Sequence, residues 1–185
     1  MKRVFIAIKV EPGGELLRMI SSLKALLGAE NIKWVDTVNI HVTLAFLGDT
    51  EEKRIKILVN MLKERYSGFH EFEFILAGTG VFKNFRDPRA IWVGIRSSEK
   101  LLMLSNITTD GLKENGFEIE DRQFNPHLTL GRIKSVKDTG NLTTVLERYM
   151  DSQIQIVHVN EVILYESILK QTGPLYKPLA KFPLS

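Results

Sequence analysis

Two short runs carry the residues that could do chemistry. His41-Val42-Thr43-Leu44 and His127-Leu128-Thr129-Leu130 repeat one pattern at a separation of 86 residues. Each lies in an apolar, β-branched stretch that closes at or near a glycine, Gly48 and Gly131, as a strand does. Residues i and i+2 of a strand share a face. His41 and Thr43 therefore point one way and Val42 and Leu44 the other, and His127 and Thr129 repeat the arrangement against Leu128 and Leu130. Imidazoles titrate near neutrality, so two of them facing one space can divide the work of an acid and a base. Phosphoester hydrolysis needs that division: one group takes a proton from water and the other gives one to the departing oxygen. The threonine hydroxyls suit the non-bridging oxygens of a phosphate. Two histidines and two threonines, with no cluster of carboxylates and no cysteine in the chain, do not make a metal site. Neither metal nor cofactor is expected.

The elements that must position these residues occur twice. Residues 4–10 read as a buried strand, and residues 15–27 carry Leu16, Leu17, Met19, Ile20, Leu23, Leu26 and Leu27 at helical spacing, with Gly28 as a stop. Residues 32–38 lead through a turn into the His41 strand. Asp49 or Thr50 would cap a helix running to about Tyr66, with acids in its first turn. Residues 69–76 alternate as a strand, and residues 81–89 read as a loop or hairpin end around Asp87-Pro88. The second half repeats the order: a strand at 90–95, a helix at 99–115 ending at Gly116, an approach over 117–122, the His127 strand with Pro126 at its mouth, a shorter helix at 142–150, and one or two strands within 154–166. A turn at Thr172-Gly173-Pro174 and a tail with two prolines close the chain. Phe5 and Trp92 are 87 residues apart and Gly28 and Gly116 are 88 apart, close to the spacing of the histidines. This is duplication of a lobe rather than a short solenoid period. One compact domain over 1–185 is expected, with lobe halves at roughly 1–89 and 90–185 and a pseudo-twofold axis that sets the two His strands across a cleft.

The totals bound the function. At 185 residues, 44% hydrophobic and 25% charged, the composition is that of a soluble globular protein able to bury a sizeable core. No run approaches membrane-spanning length, and the apolar start is cut short at Glu11-Pro12 without a cleavage site, so a first strand is expected there and a cytoplasmic location. The net charge of +3 permits an anionic partner without requiring one.

A single His-x-Thr-Leu is weak evidence, since any strand can carry one and a lone histidine is usually structural. Two copies at matched places in a duplicated architecture reverse that weighting. His70 and His158 lack the pattern and read as structural or surface residues. Arg132 follows Gly131, and a guanidinium suits phosphate. Strict alternation puts it on the face opposite His127, and it reaches the cleft only if a bulge intervenes or the strand ends at Gly131. The Phe82-Lys83-Asn84-Phe85-Arg86 stretch reads first as a solvated loop with core-facing phenylalanines, with base stacking as its alternative. Trp34 divides the same way, burial first.

The paired motifs resemble those of the 2H phosphoesterases. The flanks Val4-Phe5-Ile6-Ala7-Ile8, Lys33-Trp34-Val35, Phe46-Leu47-Gly48, Pro126 through Arg132, Glu166-Ser167 and Gly173-Pro174-Leu175-Tyr176 resemble the RNA 2′,3′-cyclic phosphodiesterases, also called 2′-5′ RNA ligases. The resemblance spans essentially the whole chain. It implies an α+β fold of two pseudo-symmetric lobes, each an antiparallel sheet with helices outside, around a central cleft. It also implies metal-independent hydrolysis of a 2′,3′-cyclic phosphate, on RNA or a small cyclic nucleotide, to a 2′-phosphomonoester by a monomer, with reversible 2′-5′ joining as a secondary activity. Under it His41 protonates the leaving 3′ oxygen, His127 activates water, and Thr43 and Thr129, with Arg132 where it reaches the cleft, hold the phosphate. The residues alone leave the acid and base roles interchangeable. They also leave open a non-catalytic nucleotide-binding module of the same shape, or a structural protein in which the histidines are incidental.

Overall fold

The computed structural model describes residues 1–119 and 123–185. Among these, nine strands and four α-helices follow in the order β1 (Lys2–Lys9), α1 (Gly14–Leu26), β2 (Asn31–Trp34), β3 (His41–Thr50), α2 (Glu52–Arg65), β4 (Phe72–Asn84), β5 (Asp87–Arg96), α3 (Glu99–Glu114), β6 (His127–Ser135), α4 (Thr139–Glu147), β7 (Gln153–Val159), β8 (Glu161–Lys170) and β9 (Gly173–Pro183). They form two antiparallel sheets, β3-β1-β8-β9 and β2-β6-β5-β4-β7. Each sheet draws strands from both sequence halves: β8 crosses over to pair with β1, and β4 crosses to pair with β5. The exchange stitches the repeats together. Helices α2 and α3 pack on each other, with α3 against β3 and α2 against β9; α1 and α4 pack together against β7 and β4.

Alternation decides what each sheet face does. In β1, Val4, Ile6 and Ile8 enter the main core, while Phe5 and Ala7 join Ile163 and Tyr165 in a separate small cluster on the opposite face. That is why β1 reads as continuously apolar: both its faces are covered. In β4, Phe72, Phe74 and Leu76 are core residues, with Glu73 between them exposed. Each fully buried Phe, Leu or Ile contributes about 1.5–3 kcal/mol relative to exposure.

The elements differ from the sequence reading at the entrance of α2 and at the tail, and agree with it at the hairpin end. β3 continues through Thr50, which pairs with Lys2, so neither Asp49 nor Thr50 caps α2; Glu51 holds that position without a side-chain cap. Residues 81–89 close a hairpin in which the Asn84 side chain accepts from the backbone N–H groups of Arg86 and Asp87. The proline-bearing tail is strand β9, at a sheet edge where missing N–H groups cost no ladder bonds. The approach to the second motif extends into residues 120–122, outside the described residues.

Candidate active site

The histidine strands sit at corresponding places, and each is modified at the same residue of its motif. In β3, Thr43 pairs with Ala7 and Ala45 with Ile6, so Leu44 is the extra residue of a β-bulge. In β6, Thr129 pairs with Trp92 and Gly131 with Ile91, so Leu130 is the extra residue. A bulge shifts the alternation by one. Up to it, His41 and Thr43 share the face of Ala7, and His127 and Thr129 share the face of Trp92. Beyond it Phe46, paired with Phe5, and Arg132, paired with Ala90, come round to those same faces. Arg132 is thus on the histidine side, as the bulged reading of its position required. Leu44 and Leu130 stay in the core.

Each imidazole is fixed in the same way. His41 Nδ1 donates to the Asn39 carbonyl at 2.7 Å, and His127 Nδ1 donates to the Asn125 carbonyl at 2.7 Å. A carbonyl oxygen only accepts, so Nδ1 carries the proton in both rings. That leaves both Nε2 atoms, on the far side of each ring, for proton exchange. β3 and β6 approach each other between the sheets, and the two imidazoles lie close enough to interact electrostatically. Burial holds His41 below its ordinary pKa; the Asn39 hydrogen bond opposes this, and His127 adds to the lowering.

The surroundings of the two rings differ. His41 packs against Phe5 (centroids 5.0 Å) and stands edge-on to Tyr176 (5.3 Å). The Asn39 side chain donates to the Pro174 carbonyl at 3.1 Å, tying the β8–β9 hairpin to the segment that orients His41. His127 meets Phe82 edge-on at 4.7 Å, and Phe82 in turn lies 5.8 Å from Trp92. Phe82 is therefore a neighbour of the site, contrary to the solvated-loop reading of its segment. Trp34, as expected, packs partly buried against the core. Trp92 lies flat over Gly80, where a Cβ would stand 2.3 Å from its ring, and its Nε1 is buried without a hydrogen-bond partner among the described residues. Among the described residues the hydroxyls of Thr43 and Thr129 form no hydrogen bond, and neither Arg132 nor Arg3 forms an ion pair; both cations bear on the Tyr176 phenol, whose pKa burial pushes up. His158 lies elsewhere, exposed and bonded to Glu71 at 2.9 Å, and His70 is also exposed. No group of three or more His, Asp or Glu side chains among the described residues is arranged to hold a metal ion.

Phe5, Tyr176 and Trp92 are the site neighbours that motif reasoning missed. Phe5 and Trp92 stood as equivalent positions in the repeat, and that equivalence was the available signal.

Two sheets, exchanged strands and paired His-x-Thr motifs define a duplicated, phosphoesterase-type α+β fold. The model of the LigT-like phosphoesterases matches the chain twice in succession, over residues 6–92 and 93–176. The chain belongs to the LigT-like phosphoesterase family. It is 33% identical to an RNA 2′,3′-cyclic phosphodiesterase of Archaeoglobus fulgidus, over 97% of this chain and 99% of that one, and 34% identical to one of Thermotoga maritima, over 96% and 92%. Among solved structures it is similar to TT0787 of Thermus thermophilus, with a TM-score of 0.80 and 26% identity over 98% and 97% of the two chains. It is also similar to E. coli LigT complexed with 3′-AMP, with a TM-score of 0.78 and 25% identity over 100% and 98%. No helix of the described residues is long and apolar enough to cross a membrane.

Proposed function

We propose that this protein hydrolyses the 2′,3′-cyclic phosphate of an RNA end or a nucleoside to a 2′-phosphomonoester, as a monomeric, single-domain cytoplasmic enzyme. The observation that carries the reading is the pair of imidazoles, each with Nδ1 committed to a carbonyl two residues earlier and each leaving Nε2 to act. The names of the relatives at 33% and 34% identity support the substrate class.

In this mechanism water attacks phosphorus as the bond to the 3′ oxygen breaks. His127 Nε2 takes the proton from water, and His41 Nε2–H gives one to the departing oxygen. The imidazoles finish with their protonation exchanged, and solvent resets them. The low proton affinity of His41 in the free protein suits this role in two ways: a more acidic imidazolium donates more readily, and an anionic phosphate beside it restores the proton before reaction. Thr43, Thr129 and Arg132 hold the non-bridging oxygens. With the 5′ hydroxyl of a second RNA in place of water, the same two transfers would form a 2′-5′ phosphodiester as the bond to the 3′ oxygen breaks, and their reversal would cleave that linkage back to the cyclic phosphate.

The test is incubation with uridine 2′,3′-cyclic monophosphate, with and without EDTA, followed by phosphorus NMR. Chelator-insensitive conversion to the 2′-monophosphate is expected. Binding without turnover would identify a nucleotide-binding module instead, and a dominant 3′-monophosphate would reverse the substrate's orientation.

A further inference from the structure

Beyond the reacting groups, the histidine face of the β3-β1-β8-β9 sheet continues into a second feature. The bulge at Leu44 brings Phe46 onto that face, and a further bulge at Leu47 follows it. Phe46 is 50% exposed, unusual for an aromatic residue inside a strand. The Arg3 guanidinium lies 4.9 Å from its ring centroid. Arg3 shares the face of Phe5, forms no ion pair among the described residues, and acts electrostatically on Tyr176, as Arg132 does from the other sheet. The rings therefore run outward in sequence from His41 to Phe5 at 5.0 Å and then to Phe46, the cross-strand partner of Phe5, with the Arg3 cation at the end. An exposed aromatic face beside a guanidinium is the combination that single-stranded nucleic acid recognises, through base stacking and phosphate contact.

We propose that Arg3 and Phe46 form a subsite for the nucleotide immediately 5′ of the reacting end of a single-stranded RNA, its base on the Phe46 ring and its bridging phosphodiester on Arg3. The inference rests on the hydrolase reading for its orientation, and it makes this face a site for oligonucleotides rather than mononucleotides.

Two measurements test it. In the first, kcat/KM is compared for uridine 2′,3′-cyclic monophosphate and for a uridine trinucleotide with the same cyclic end, in wild type, Phe46→Ala, Phe46→Trp and Arg3→Gln. The trinucleotide loses on the order of tenfold in Phe46→Ala and Arg3→Gln, the cyclic mononucleotide changes by less than about twofold, and Phe46→Trp keeps the preference. In the second, a fluorescein-labelled uridine trinucleotide ending in a 2′-phosphate is titrated by anisotropy. Its Kd rises on the order of tenfold in Phe46→Ala and Arg3→Gln, and the Arg3→Gln complex is less salt-sensitive. Equal losses on both substrates, or trinucleotide affinities equal to wild type in both variants, would overturn the subsite. The binding arm decides this even if neither cyclic substrate turns over, a result that would count against the hydrolase reading alone.

Discussion

The Nδ1 atom of His41 donates to the backbone oxygen of Asn39 at 2.7 Å, and the side chain of that same asparagine donates to Pro174, 135 residues away. The equivalent Asn125 orients His127 through its carbonyl alone among the described residues. The pseudo-symmetry is thus broken in the supports of the histidines rather than in the histidines. Asn39→Leu is expected to lower kcat on the order of tenfold with KM little changed, because it loosens orientation and not phosphate binding. Asn125→Leu should do much less. Steady-state kinetics across pH check this: weakening the bond that raises the His41 pKa moves its limb of the profile to lower pH in Asn39→Leu only.

The lowered pKa of His41 makes a signed statement about stability. Between its folded-state value and the ordinary value of about 6.5, the unfolded chain holds more protons than the folded one, so stability falls as pH drops through that window. An anion at the site reverses the balance by favouring the imidazolium. Sulfate, which does not titrate in this range, should bind with proton uptake, measured by calorimetry in buffers of different ionisation enthalpy. His41→Gln should reduce that uptake and flatten the pH dependence of Tm. Proton release on binding would contradict the assignment.

Gly131 follows the bulge that turns Arg132 toward the histidines. A Cβ there would stand 2.9 Å from Ile32 Cγ2 and 3.2 Å from Trp34 Cε3. Gly131→Ala is expected to cost about 1–3 kcal/mol of stability by overpacking. It should also raise KM, as should Arg132→Gln, since displacing the bulge displaces the guanidinium. Denaturant melts and KM for the cyclic nucleotide check the two effects separately.

The histidines and threonines were legible because their pattern is local and occurs twice. Arg132 was not, because its face depends on whether Leu130 is bulged, and bulging is a property of pairing with β5 that no period-2 count contains. Phe5, Phe82 and Tyr176 reach the imidazoles from other strands, and Trp92 stands behind Phe82. The cap of α2 was misplaced because Asp49 and Thr50 have the chemistry of a helix entrance, while pairing with β1 keeps them in β3. The tail was not read as a strand because prolines break central strands, and β9 is an edge.

The central claim is that His41 and His127 act as the acid and base of one displacement. Each alanine variant should lose at least about 10² in kcat on uridine 2′,3′-cyclic monophosphate, with smaller changes in KM. The double variant should be little worse than the weaker single, since both transfers serve one transition state. The direct measurement is kcat for both single variants on this substrate and on a nucleotide ester whose leaving group needs no proton. The better leaving group should partly rescue His41→Ala and leave His127→Ala inactive. Rescue of His127→Ala instead would exchange the two roles, and wild-type rates in both variants would contradict the account.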